Sequence, residues 1–159
     1  MEVENAPDVT KIMRQILKRT PFEHVKADQI TCMRSTGATS RAYARIWSFP
    51  KIWQKALAHP PHYIIEVLAH HFDKLRDDDK IRTIIHELMH IPKNFSGALV
   101  PHHGRYHRID RRTVEKLFQV YGVNSQPKAD QPLADKSQAS STKQTTKTPI
   151  NKIRNFLNL

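Results

Sequence analysis

Cysteine is almost absent from this 159-residue chain: Cys32 stands alone. One thiol forms no internal disulfide framework and excludes a four-cysteine zinc ribbon. A reduced, intracellular setting fits such usage, so a cytoplasmic protein is expected, with association to the nucleoid compatible with its charge. Long apolar runs are missing as well. None approaches the roughly 20 residues that a membrane span needs, which points to a soluble protein with no membrane partner. The opening MEVENAPDVT is acidic and has no apolar centre, so it does not read as a secretory signal. Hydrophobic residues make up 38% of the chain, below the usual globular share of about 45–50%, so part of it should not pack. Acidic residues are in short supply too. Against 26 Lys and Arg there are 15 Asp and Glu, for a net charge of +11 and a pI near 10.0. That balance favours contact with a polyanion such as nucleic acid and says nothing about fold.

What the chain does contain changes character near Gly122. Before it, apolar residues recur at helical or strand-like spacing. After it comes a stretch rich in Ser, Thr, Gln, Lys and Pro, whose apolar surface cannot offset the entropy of ordering it. The expected organisation is therefore a domain over 1–122, a disordered linker over 123–149 and a short apolar peptide over 150–159. Residues 1–121 hold 20 Lys and Arg against 13 Asp and Glu, so the basic character is not confined to the tail.

The elements follow from periodicity. Asp8 is expected to cap a helix with one apolar stripe, Val9, Ile12, Met13, Ile16 and Leu17, ended by Thr20-Pro21. Residues 29–34 and 41–49 read as strands, joined in a hairpin by a turn at Gly37. A short helix is expected over 51–58, closed by Pro60-Pro61, and a third strand over 62–69. Asp77, Asp78 and Asp79 open a helix that runs to Ile91 and stops before Pro92. Asp110 is a cap candidate for a last helix over 111–121, burying Val114, Leu117, Phe118 and Tyr121. The fold class is α+β: a small, mainly antiparallel sheet with helices.

Residues 86–90 read His-Glu-Leu-Met-His. Two histidines four apart lie on one helix face, one turn apart, where both imidazoles can reach a single ion at about 2.0–2.1 Å. Glu87 projects near that face and can act as general base toward a metal-activated water. Imidazole donors suit zinc, so Zn2+ is the expected cofactor. A catalytic zinc takes three protein ligands and keeps one position open. The loop Pro101-His102-His103-Gly104-Arg105-Tyr106-His107 is the source of the third ligand. His103 is preferred because Gly104 lets the backbone bend beside it, His102 comes next and His107 third. Tyr106 is a candidate donor to a developing oxyanion, although packing beside the last helix is the simpler role. His24, His59 and His62 have no partner pattern, and His70 and His71 end a strand. Cys32 is expected to be a buried, inert thiol, and Trp47 and Trp53 to pack in the core or at its rim.

The run IRTIIHELMHIPKNFSGALVPHHGRYHRIDRRTVEKLF, with ARIWSFPKIWQKAL and YIIEVLAHHFDKL upstream, resembles SprT-like and phage- or archaeal-type metallopeptidases over about 40–121. The resemblance implies a minimal zincin-like domain with the His-Glu-x-x-His helix under a small sheet. It implies His86, His90 and His103 as metal ligands, Glu87 as catalytic base, and protein substrates associated with DNA. The chain departs from some SprT-like members in lacking a cysteine-bearing zinc ribbon.

Three function classes follow. The first is a zinc peptidase acting on proteins near DNA. The second is a nonenzymatic basic DNA-binding or adaptor protein, whose phosphate contacts would be Arg105, Arg108, Arg111, Arg112 and Lys116. The third is a regulator that cleaves one specific repressor. At the C-terminus, Ile153, Phe156 and Leu157 look like a degenerate sliding-clamp-binding peptide, although Ile150 stands where a glutamine is usual. The plain alternative is an amphipathic turn that docks on its own domain.

Overall fold

A computed structural model of the chain describes residues 1–104 and 108–124. The expected linker beyond its first two residues, and the peptide at 150–159, lie outside the described residues. Among those described, no helix is long and apolar enough to cross a membrane.

The domain is an α+β structure of four strands and five helices. In chain order these are β1 (Glu2–Asn5), α1 (Pro7–Arg19), β2 (Ile30–Thr36), β3 (Ala44–Ser48), α2 (Lys51–Ala56), β4 (Tyr63–Leu68), α3 (Ala69–Phe72), α4 (Asp77–Met89) and α5 (Arg111–Val123). A single 3-10 turn, Ala27–Gln29, leads into β2.

The helices form where their apolar rows can be buried. Val9, Met13 and Ile16 of α1 are buried, with Ile12 and Leu17 packed beside them, as the stripe in the sequence requires. The helix begins two residues earlier than expected, with Pro7 in its first turn and Ala6 at the cap position. Proline suits that position because its missing N–H would have had no partner. Asp8, expected as the cap, sits inside the first turn and pairs with Arg34 at 2.8 Å. At the other end the Thr20 hydroxyl donates to the Ile16 carbonyl at 2.6 Å before Pro21 ends the helix. Helix α5 opens on a reciprocal cap between Asp110 and Thr113, which satisfies two orphan N–H groups.

The sheet order is β1-β2-β4-β3. Pairs β1–β2 and β4–β3 are antiparallel and β2–β4 is parallel, so the sheet is mixed, with antiparallel pairs in the majority. The hairpin expected between residues 29–34 and 41–49 does not form: β4 lies between β2 and β3. Its run YIIEVL supplies Tyr63, Ile65, Val67 and Leu68 as fully buried residues, and such a strand belongs in the middle of a sheet. Gly37 still makes the turn, with φ of +76°. The unanticipated β1 reads EVEN and is exposed throughout, as suits an edge.

One sheet face carries the core. Ile30 and Cys32 of β2 and Tyr63, Ile65 and Val67 of β4 join the buried residues of α1 with Ile84, Ile85 and Leu88 of α4. Burial pushes the Cys32 thiol up, away from reactivity, as a core cysteine should be. Trp47 and Trp53 are each about half exposed and so belong to the rim rather than the core. Strand β3 lies at the sheet edge, alongside α4.

Candidate metal centre

Helix α4 presents its chemistry near its C-terminal end. Ile84, Ile85 and Leu88 anchor it in the core, which leaves His86 half-buried and His90 buried on a neighbouring face. The helix closes at Met89 with His90 as its cap, and Pro92 follows two residues later. The returning loop is tied to the helix end twice. The Val100 N–H donates to the His90 carbonyl at 2.8 Å, and His90 Nδ1 lies 2.6 Å from the Val100 carbonyl oxygen. A carbonyl only accepts, so Nδ1 carries the proton and Nε2 of the neutral ring keeps its lone pair.

That lone pair points into a cluster of imidazoles. His86 Nε2 lies 3.4 Å from His90 Nε2 and 3.0 Å from His102 Nε2. His86, His90 and His102 offer ligand atoms that all lie within 4.8 Å of one another. Two nitrogens bound at about 2.05 Å to one tetrahedral ion stand about 3.3 Å apart, close to these separations. Three imidazole nitrogens with at least one oriented partner carbonyl are therefore a donor set that fits a divalent metal ion.

The electrostatics favour neutral imidazoles. Burial, followed by repulsion from His90 and His102, pushes His86 down to about 4. His90 is also lowered, chiefly by burial, against the opposing hydrogen bond to Val100. Neutral rings are the form that binds a metal. Glu87 is buried, and burial pushes its carboxyl up to about 7, while the Ile46 N–H of β3 donates to it and draws it back. A buried carboxyl held near neutrality, on the helix that carries His86 and His90, is suited to moving protons.

The loop uses the second of the doubled histidines differently from the first. His102 turns to the cluster, and its carbonyl accepts from the Ile109 N–H at 2.9 Å. His103 pairs with Arg108 in a β-bridge and is exposed. Adjacent residues of an extended segment point to opposite sides, so only one of the pair can face α4. His103, the residue preferred from sequence, is thus not the one brought to His86 and His90. Gly97, earlier in this loop, takes a positive φ of +78°. Arg105, Tyr106 and His107 lie outside the described residues.

Among the described residues, the other histidines do not join the cluster. His24 faces the Ile91 carbonyl, and His62 Nε2 lies 2.8 Å from the Thr31 hydroxyl. His70 and His71 lie in α3 rather than ending a strand, their rings 3.9 Å apart and tilted by 43°. Arg108, Arg111, Arg112 and Lys116 are exposed, with Arg108 3.7 Å from Asp110.

Three supporting groups were not singled out from sequence. They are the Ile46 N–H on Glu87, the Val100 carbonyl on His90, and Tyr63, whose hydroxyl accepts from the Gly97 N–H at 2.9 Å and donates to the Ala98 carbonyl at 3.0 Å. Only Tyr63 left a signal: a phenol inside an apolar strand needs a hydrogen-bond partner.

The profile of the family described as "Putative phage metallopeptidase" matches residues 1–126. No curated protein and no solved structure matches the chain.

Proposed function

The chain belongs to the phage metallopeptidase family, and from that premise we propose that it is a zinc-dependent peptidase with His86, His90 and His102 as ligands and Glu87 as general base. The observation that carries this reading is the convergence of three imidazole nitrogens, two of them from the helix that bears the buried Glu87.

Zinc in such a set polarises a carbonyl and lowers the pKa of water in its open position. The chain's own residues supply the rest. The Val100 carbonyl fixes the His90 tautomer. A carboxylate oxygen of Glu87 takes the proton of the attacking water and delivers it to the leaving amine. A bound divalent ion would favour the ionised carboxylate of Glu87, the form that accepts a proton. Substrate has an obvious track. Tyr43 and Phe49, which flank β3, hydrogen-bond to Leu68 and His62, so Ala44, Ile46 and Ser48 turn their backbone groups away from β4, the Ile46 N–H to Glu87 and the others to the edge. An extended peptide can add there as a further strand, beside Glu87.

The resemblance to SprT-like enzymes extends the proposal to proteins held on DNA, and the +11 charge with exposed Arg111, Arg112 and Lys116 supports that extension. Those same cations support a second reading, a basic binding protein without catalysis. DNA binding that falls steeply with salt and persists in His86→Ala would favour that second reading if no proteolysis accompanies it.

The test is Glu87→Gln in the zinc-loaded protein against an unfolded protein substrate. Cleavage should be lost while zinc is retained. Undiminished cleavage would remove Glu87 from the base role.

A further inference from the structure

The face of the sheet opposite the core carries a small cavity that the chemistry above does not use. It has a volume of about 260 Å³ and is lined by Trp47, Ser48, Phe49, His59, His62 and Ile64. Trp47 and Ile64 are cross-strand partners on β3 and β4 and stay 50% and 39% exposed. The lining is apolar even where it is nominally polar. His62 commits Nε2 to the Thr31 hydroxyl at 2.8 Å, and His59 commits Nδ1 to the Pro60 carbonyl at 2.7 Å. Their rings meet edge to face at 5.7 Å, and His59 meets Phe49 likewise at 5.4 Å. The Trp47 Nε1–H is spent on Glu66 at 2.8 Å. What remains toward the cavity is mostly ring surface and aliphatic carbon.

One strand links the cavity to the candidate centre. Ile46 gives its N–H to Glu87, and Trp47 is the next residue, about 3.3 Å along β3 with its side chain on the other face. A peptide added to the open edge of β3 alternates in the same way. One residue of it is directed at the centre, and its neighbour, level with Trp47, stands on the outer face within reach of the cavity.

We propose that this cavity is a specificity pocket, taking one large apolar or aromatic side chain of a protein substrate bound along β3. Trp47 and Ile64 form its walls. The inference rests on the peptidase reading for its substrate track, so its test separates the two.

The probe is a series of fluorescent decapeptides in which one position at a time is Phe or Ala. Binding is measured by anisotropy to the zinc-loaded, full-length Glu87→Gln protein, and cleavage is measured with the wild type. At one position Phe should bind about 10-fold tighter than Ala or more, a difference expected of an apolar pocket. Trp47→Ala in the Glu87→Gln background should bring that ratio close to one. Because Trp47→Ala also removes a donor from the buried Glu66, Ile64→Ala provides the same test with that hydrogen bond intact. Absence of any Phe preference, or a preference that survives both variants, overturns the pocket even if the wild type cleaves. A preference that depends on Trp47 and Ile64 without cleavage by the wild type upholds the pocket and overturns the peptidase reading.

Discussion

Tyr63→Phe deletes one oxygen atom from a fully buried residue and leaves no new cavity. That oxygen joins β4 to the loop between α4 and His102, through the Gly97 N–H and the Ala98 carbonyl. Gly97 is buried, so its N–H has no water to turn to, whereas the exposed Ala98 can hydrate its carbonyl. A buried donor left unsatisfied costs about 1–3 kcal/mol. For a domain of this size such a loss corresponds to a fall in Tm of about 4–12 °C. The same loop carries Val100, whose carbonyl orients His90, so zinc affinity should fall too, by up to about the 10-fold associated with the lower end of disturbed outer-shell partners. Urea unfolding followed by circular dichroism, with and without zinc, reads the first effect, and a competitive chelator titration reads the second. Stability within about 0.5 kcal/mol of the wild type would refute the claim that this phenol latches the loop.

Gly97→Ala should destabilise the same loop by about 1–2 kcal/mol or more, because φ is +78° and a Cβ would meet the Gln54 side chain and the Phe49 carbonyl; an unchanged thermal midpoint would contradict that. Asp8 is held below its ordinary pKa of 3.8, first by its hydrogen bond from Arg34. A lowered carboxyl stabilises the fold above the unfolded value and loses that contribution as pH falls through the folded one, so Asp8→Asn should weaken the protein at pH 6 and match it near pH 2 in urea titrations. In metal-free Glu87→Gln protein, which lacks the opposing upward shift of Glu87, stability should fall as pH drops from 6.5 toward 4, since the unfolded chain protonates His86 before the folded chain does; zinc should raise the melting point at pH 6.5 and above and raise it less as pH falls, as read with and without chelator.

Much of this arrangement is legible in residues that act locally. Ile81, Ile84, Ile85 and Leu88 repeat at the spacing of a buried helix face, and Pro92 stops the helix just past His90, so α4 and the orientation of its two histidines follow from periodicity. Asp110 with Thr113 makes the start of α5 equally plain. What depends on distant partners is not legible. Two strands joined by a turn at Gly37 look like a hairpin until β4, more apolar than either, takes the place between them. Strand β1 has no alternation to reveal it, because every residue of EVEN is exposed. The choice between His102 and His103 turns on the register of a loop fixed by Ile109 and Arg108, several residues downstream. Local sequence shows two neighbouring imidazoles and cannot say which way the bridge points them.

The central claim is that His86, His90 and His102 together hold zinc. The most direct measurement is zinc per chain by plasma mass spectrometry in the purified full-length wild type, His102→Ala and His103→Ala, after reconstitution and removal of loosely bound metal. About one zinc is expected in the wild type and in His103→Ala, with loss in His102→Ala. Zinc retained in His102→Ala and lost in His103→Ala would contradict that claim.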